Sequence, residues 1–358
     1  MIASKQCVLP LPPNRVWRTY TGGKVLDTIS GIEDPADSHF PEDWLGSLTT
    51  ANNPDQQDAD EGLSKITTES GDSLLMLDLV KEDPEFYLGK AHVERFGLDM
   101  RILAKYLDSA IRLHFQVHPT AAFSAKHLGT NKGKTEAYII LAIREDVKEP
   151  YIYAGFQRPP SKEELKQWIE TQNISALEDC FDKIPVKVGD VFLIPGACPH
   201  ALGEGILMVE LMEASDLVVR FEFERGGFVL PEESRYMGRD LEFCLQVFDL
   251  EPKSAESFVC EPRVVRVFED GSEQKLLIGS DRTNCFQARS TRIEKSVTKR
   301  EDGFYILVVT DGSGSLKVGD QSYQLNRFDR VFIAAEAGDV TFETGEGLEF
   351  LELAGPAL

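Results

Sequence analysis

The sequence predicts a mainly β protein: two β-sandwich domains, with a small helical part attached to the first. Three observations predict it. Ala137–Ile143 is a near-continuous apolar run of core-strand character, and Val191–Ile194, Ile206–Val209 and Val218–Phe223 repeat the pattern. Helical periods are confined to a few stretches before residue 245. Beyond residue 263 the turn pairs Asp270-Gly271, Asp302-Gly303, Asp311-Gly312 and Gly319-Asp320 punctuate short strands, as in a second β-sandwich or barrel.

A chain of 358 residues is long enough for two such domains, expected over 1–235 and 236–358. Residues 1–60 read as irregular loops and short strands, with a turn at Asn52-Asn53-Pro54-Asp55. Ser73–Gly97 reads as helical, with Leu74, Leu75, Leu77 and Leu79 starting an apolar face that Asp83-Pro84 interrupts. Met100–Leu107 reads as buried. Thr120 is placed to cap a short helix that reaches Leu128, with Gly129 just past its end. Ser161-Lys-Glu-Glu164 has capping-box form, and Ile174–Phe181 continues that helical pair. The pattern loosens at Gly226-Gly227, and a further helical segment is expected near Asp240.

Composition excludes several partners. A net charge of −22 argues against nucleic acid and anionic membrane, both of which need a cationic footprint. No apolar run approaches the ~20 residues that span a bilayer, and Met1–Leu11 lacks the apolar core of a signal peptide. The six cysteines show no CxxC pairing, which fits reduced thiols in a cytoplasmic protein better than a disulfide framework. Cys198 reads as a small buried turn residue. Gly129–Thr135 lacks the spacing of a phosphate loop and reads as a loop that delivers Lys134 and Glu136.

The chemistry gathers in Gln116-Val-His118-Pro. Residues two apart on a strand share a face, so an amide oxygen and an imidazole reach one point. Glu136 follows in Lys134-Thr-Glu136, and His200 in Pro195-Gly-Ala-Cys-Pro-His200. Two imidazoles, a carboxylate and a neutral oxygen make an open metal site, with zinc the natural occupant. The second half of the chain contains no histidine, so the metal belongs to the first.

With these residues in view, the sequence resembles class I (zinc-dependent) mannose-6-phosphate isomerases, a cupin-fold family. The resemblance rests on Gln116-Val-His118-Pro, Lys134-Thr-Glu136, Val188–Gly203 around His200, and Glu210–Asp216 leading to Arg220. Trp17 with Gly22-Gly23, and Glu42-Asp-Trp44, add to it. It implies two cupin-like jelly-roll domains, the second metal-free. It also implies one Zn²⁺ per chain on Gln116, His118, Glu136 and His200.

The implied reaction is aldose–ketose isomerisation through an enediol, most simply of mannose 6-phosphate and fructose 6-phosphate. Arg220, Lys134 and Glu210 take the catalytic positions and Lys105 lines the cleft. His114 stands where the family has a serine that helps hold the sugar phosphate. That histidine, with Glu222 and Glu224, keeps open an isomerase of another sugar, with or without a phosphate; a non-catalytic, metal-dependent sugar-binding protein is a separate alternative. A small-molecule sugar or sugar phosphate is the expected partner, with oligomeric state undetermined.

Overall fold

Alternation of buried side chains assembles two facing sheets around the predicted donors. The computed structural model describes residues 6–53, 58–67, 71 and 73–358, so part of the turn expected at Asn52–Asp55 lies outside the described residues. A six-stranded antiparallel sheet runs Val191–Ile194, Glu136–Ile143, Ile206–Glu213, Ile102–Asp108, Glu42–Leu45 and Arg15–Val16. A five-stranded sheet runs Ile184–Pro185, Tyr151–Ala154, His200–Leu202, Gln116–Val117 and Val219–Arg220. Leu107, Tyr138, Ile140 and Met208 meet Ile152, Ala154 and Leu202 between them.

Each sheet buries its outer face differently. Outside the five-stranded sheet, Phe115, Val117, Tyr153 and Val219 pack under the helices Lys162–Thr171, Ile174–Glu178 and Leu241–Cys244. Outside the six-stranded sheet, Ala104, Ile139, Val209 and Leu211 pack on Leu277, Ile306, Phe332 and Leu351. Those four belong to a ten-stranded sheet formed by residues 263–354 and by Val8–Pro10, which pairs with Arg330–Ile333. The N-terminal strand thus completes the C-terminal sheet, and one apolar layer joins the two halves. The molecule is mainly β, with several sheets and a minor helical component.

Local chemistry accounts for the helix ends. Thr120 Oγ1 accepts from Phe123 N at 3.1 Å to start Ala121–His127. Ser161 and Glu164 form the reciprocal capping box. Pro84 occupies the first turn of its helix behind Asp83, which caps Phe86 N at 3.2 Å.

Three expectations are corrected. Ser73–Leu75 is a strand, and the helix begins only at Met76. Val218–Phe223 shrinks to the strand Val219–Arg220, because Glu222 turns inward to bond Arg112 and Phe115 N. Asp311-Gly312 is no chain reversal; it lies inside the long strand Tyr305–Val318, where the register shifts after Val309. Gly312 adopts φ 72° there, and a Cβ would stand 2.1 Å from the Gly347 carbonyl oxygen, so the bend needs glycine.

Candidate functional site

Strand register delivers the four predicted donors to one place. Gln116 sits opposite His200 on one side and Arg220 on the other, so all three share the inner face of the five-stranded sheet. Glu136 opens its strand on the facing sheet, opposite Ile194 and Met212. His118 Nε2 lies 3.1 Å from Glu136 Oε1, and His200 Nε2 lies 3.3 Å from Glu136 Oε2. The donor atoms of His118, Glu136 and His200 all fall within 4.8 Å of one another. Gln116 lies beside them, its amide nitrogen 3.2 Å from His200 Nε2.

The hydrogen bonds fix which nitrogens face inward. His118 Nδ1 lies 2.8 Å from the Leu217 carbonyl oxygen and His200 Nδ1 lies 2.9 Å from that of Cys198. A carbonyl only accepts, so each Nδ1 carries the proton and each Nε2 is left with a lone pair. Those lone pairs point at a carboxylate that is itself 1 % exposed. Two imidazole lone pairs and a carboxylate so gathered are a metal-ligand set, with the Lys134 ammonium beside them, 3.4 Å from His118 Nε2 and 3.1 Å from Glu136 Oε1. The residues therefore fit a metal ion, with outer hydrogen bonds that orient both imidazoles. Burial, reinforced by Lys134, pushes the His118 imidazole down to about 3, so it stays neutral as a ligand must. Burial raises the Glu136 carboxyl, but Lys134 and the imidazoles outweigh it and hold it well below the usual range.

A row of polar residues crosses the six-stranded sheet beside the donors. Tyr138, Glu210, Lys105 and Trp44 occupy opposed positions on four neighbouring strands. Lys105 Nζ contacts Glu210 Oε2 at 3.1 Å and Glu42 Oε1 at 2.9 Å. Burial opposes the charge on Lys105, yet Glu210 and Glu42 prevail and raise it. Burial also raises the Glu210 carboxyl, with Glu136 adding to the effect and Lys105 opposing it. Lys134 Nζ reaches Glu136 Oε1 at 3.1 Å. The loop before Glu136 is pinned by Glu213, whose Oε2 accepts from Thr135 N at 2.9 Å. Arg220 lines the cleft and donates Nη1 to the Ser234 carbonyl at 2.8 Å. The acids that were its possible partners are engaged elsewhere: Asp216 by Arg18, Glu210 by Lys105.

Sequence reasoning missed Arg18, Tyr20, Glu42 and Tyr138, all of which line this cleft. A signal existed for three of them, since Arg18 and Tyr20 lie between Trp17 and Gly22, and Glu42 opens the Glu42-Asp-Trp44 motif. Gly22 lets that segment press against the end of Ile102–Asp108: a Cβ there would stand 1.8 Å from the Asp108 carbonyl oxygen.

His114 stands apart from the other predicted residues. It is buried with Nδ1 3.1 Å from the Glu222 carbonyl oxygen, and it does not line the cleft. Glu222 keeps its charge away from the cleft too, pairing with Arg112 Nη1 at 2.6 Å and Nη2 at 2.9 Å. Glu224 is exposed. Cys198 is a buried turn residue whose thiol burial pushes up to about 12. Trp44 is fully buried, and Trp17 stacks on His39. Among the described residues no helix is long and apolar enough to cross a membrane.

Comparison with known proteins adds independent findings. No protein-family model matches the chain. The chain is 30 % identical over 271 residues to the mannose-6-phosphate isomerase of Streptococcus mutans, covering 74 % of this chain and 79 % of that one. It is 25 % identical over 257 residues to the mannose-6-phosphate isomerase ManA of Bacillus subtilis, covering 71 % and 74 %. Its fold matches a crystal structure of the mannose 6-phosphate isomerase from Bacillus subtilis with a TM-score of 0.73 at 22 % identity, over 97 % of this chain and 99 % of that one. A zinc-bound mannose 6-phosphate isomerase structure matches with a TM-score of 0.72 at 17 % identity, over 98 % and 100 %. At those identities the structural likeness establishes the shared fold.

Proposed function

Because the chain belongs to the mannose-6-phosphate isomerase family, we propose that it is a zinc-dependent aldose–ketose isomerase interconverting mannose 6-phosphate and fructose 6-phosphate. The observation that carries this reading is the buried His118–Glu136–His200 group beside a cleft that also holds Glu210 and Arg220. Gln116, His118, Glu136 and His200 would hold the zinc. When bound, that ion supplies Lewis acidity toward sugar oxygens. Residues 1–235 are read as the metal-binding cupin-like jelly roll and 236–358 as its metal-free counterpart.

The chain's own side chains divide the remaining work. Isomerisation breaks a C–H bond next to a carbonyl: its electron pair forms the C=C bond as the carbonyl π pair moves onto oxygen, a proton passes from the neighbouring hydroxyl to that oxygen, and the proton taken from carbon returns to the former carbonyl carbon. Glu210 is assigned the proton, held at Oε while the enediol exists. A carboxyl raised by burial is a better proton acceptor than an exposed one. Lys105 holds Glu210 in place, and Lys134 shields the Glu136 charge. Arg220 brings a permanent positive charge to the wall opposite the carboxylates, where negative charge develops on the substrate oxygens. Burial of Lys105, Lys134, Glu136 and Glu210 lowers the local dielectric and strengthens each of these interactions.

The test is a coupled assay with purified, zinc-loaded protein beside a known enzyme. Turnover of mannose 6-phosphate, inhibited competitively by inorganic phosphate, is the expected result. Absence of turnover with one zinc bound per chain would overturn the reading.

A further inference from the structure

Arg18 is the basic group of the cleft to which the isomerase reading gives no role. It is 4 % exposed, and its Nε donates to Glu42 Oε2 at 2.8 Å. Nη1 donates to Asn53 Oδ1 at 2.9 Å and lies 3.4 Å from Asp216 Oδ2. Nη2 is buried and has no acceptor among the described residues. A buried guanidinium N–H with no acceptor is rare and costly, and it marks a place for an oxygen atom. The cleft it lines has a volume of about 30 Å³, enough for one small polar group between the closed walls. Arg220 lines the same cleft, and Asp216 attracts both guanidinium groups.

Charge balance selects the ligand. Among the described residues four basic and four acidic side chains line the cleft, so their formal charges cancel. A divalent ion on the four donors leaves a surplus of about two positive charges. A phosphate monoester, which carries nearly two negative charges at neutral pH, cancels that surplus. An uncharged sugar leaves it buried and uncompensated. His114, at the position where the resemblance led one to expect phosphate contact, is turned to the Glu222 carbonyl and stays outside the cleft.

We propose that Arg18 is a specificity-determining residue that binds the phosphate monoester of the substrate. The planar guanidinium fork offers paired donors to phosphate oxygens that a lysine ammonium does not reproduce. The identity of the sugar rests on the isomerase reading; the anion clamp does not.

The test uses full-length, zinc-loaded protein and two variants, Arg18→Lys, which keeps the charge facing Glu42, and Arg18→Gln. Inorganic phosphate is the probe, read as thermal stabilisation and as competitive inhibition, with zinc content measured alongside. For Arg18→Lys the clamp predicts about tenfold weaker phosphate binding and a KM for mannose 6-phosphate raised about tenfold. It also predicts kcat within about threefold of wild type and one zinc still bound per chain. Arg18→Gln should weaken phosphate further. Phosphate affinity unchanged in a folded Arg18→Lys protein overturns the clamp, even if kcat and melting temperature fall. A wild type that phosphate neither stabilises nor inhibits overturns it as well. If the wild type isomerises no sugar, yet phosphate stabilises it and Arg18→Lys abolishes that effect, the clamp stands and the isomerase reading fails.

Discussion

Glu42→Gln is expected to destabilise the protein by about 3 kcal/mol at neutral pH, a magnitude that follows from its surroundings. The carboxylate is 2 % exposed and accepts from four donors. Arg18 Nε and Trp44 Nε1 both reach Oε2 at 2.8 Å; Lys105 Nζ reaches Oε1 at 2.9 Å, and the Tyr20 hydroxyl shares it. Breaking a buried pair by neutralising one partner costs roughly 3–5 kcal/mol, because the remaining charge is left uncompensated. The low end applies here, since the amide oxygen still accepts and Glu210 and Asp216 remain near the two cations.

The pH dependence gives a second check on the same substitution. Burial raises the Glu42 carboxyl, but Arg18 and Lys105 outweigh it and hold it well below its ordinary value of 4.5. A group depressed in the folded state contributes stability that is fully present above its unfolded value and is lost as pH falls toward the folded one. The gap between wild type and Glu42→Gln should therefore be constant above about pH 5 and should narrow below 4.5. Urea denaturation of both proteins at pH 7 and pH 4, with excess chelator to remove metal linkage, measures it. A difference under about 1 kcal/mol at pH 7, or a gap that widens in acid, would refute the buried-hub account.

Other perturbations separate the parts of the site. Gln116→Leu and His200→Ala should each lower zinc below one ion per chain by metal analysis; full retention in both would remove these residues from the ligand set. Glu213→Ala frees Thr135 N and should weaken zinc affinity by about tenfold in a chelator competition, with the ligands themselves intact. Glu210→Gln should keep its zinc and lose roughly 10²–10³ in kcat, whereas a loss of zinc instead would make Glu210 a structural support. Gly133→Ala should disturb the same loop, since its Cβ would stand 2.5 Å from Ala121 N and 2.8 Å from Glu213 Oε2; an unchanged melting temperature and zinc affinity would contradict that packing.

Much of the frame was legible because its causes are local. Thr120 and Ser161 announce their helices through hydroxyls that satisfy backbone N–H groups three residues on. Glu136–Ile143 announces its strand by being apolar on both faces, and it is covered on both. Errors arose where a distant residue overrode a local preference. Glu222 left its expected strand because Arg112, 110 positions earlier in the chain, offered it a buried bidentate partner. Asp311-Gly312 looked like a turn by composition, but pairing with Leu348–Ala354 carried the strand straight through it.

The sequence by itself determined the donor types and their pairing on strand faces. Gln116 and His118 are two apart, so the period of a strand brings that pair together before any partner is known, whereas Lys134 reaches Glu136 from the loop that precedes its strand. Tertiary structure decided what each charge answers to. Lys105 meets Glu42 across 63 positions, Arg18 Nη1 comes within 3.4 Å of Asp216 Oδ2, and Arg220 ends at the carbonyl of Ser234. The energy of a buried charge is set by the groups brought against it, and the chain brings those groups together only by folding.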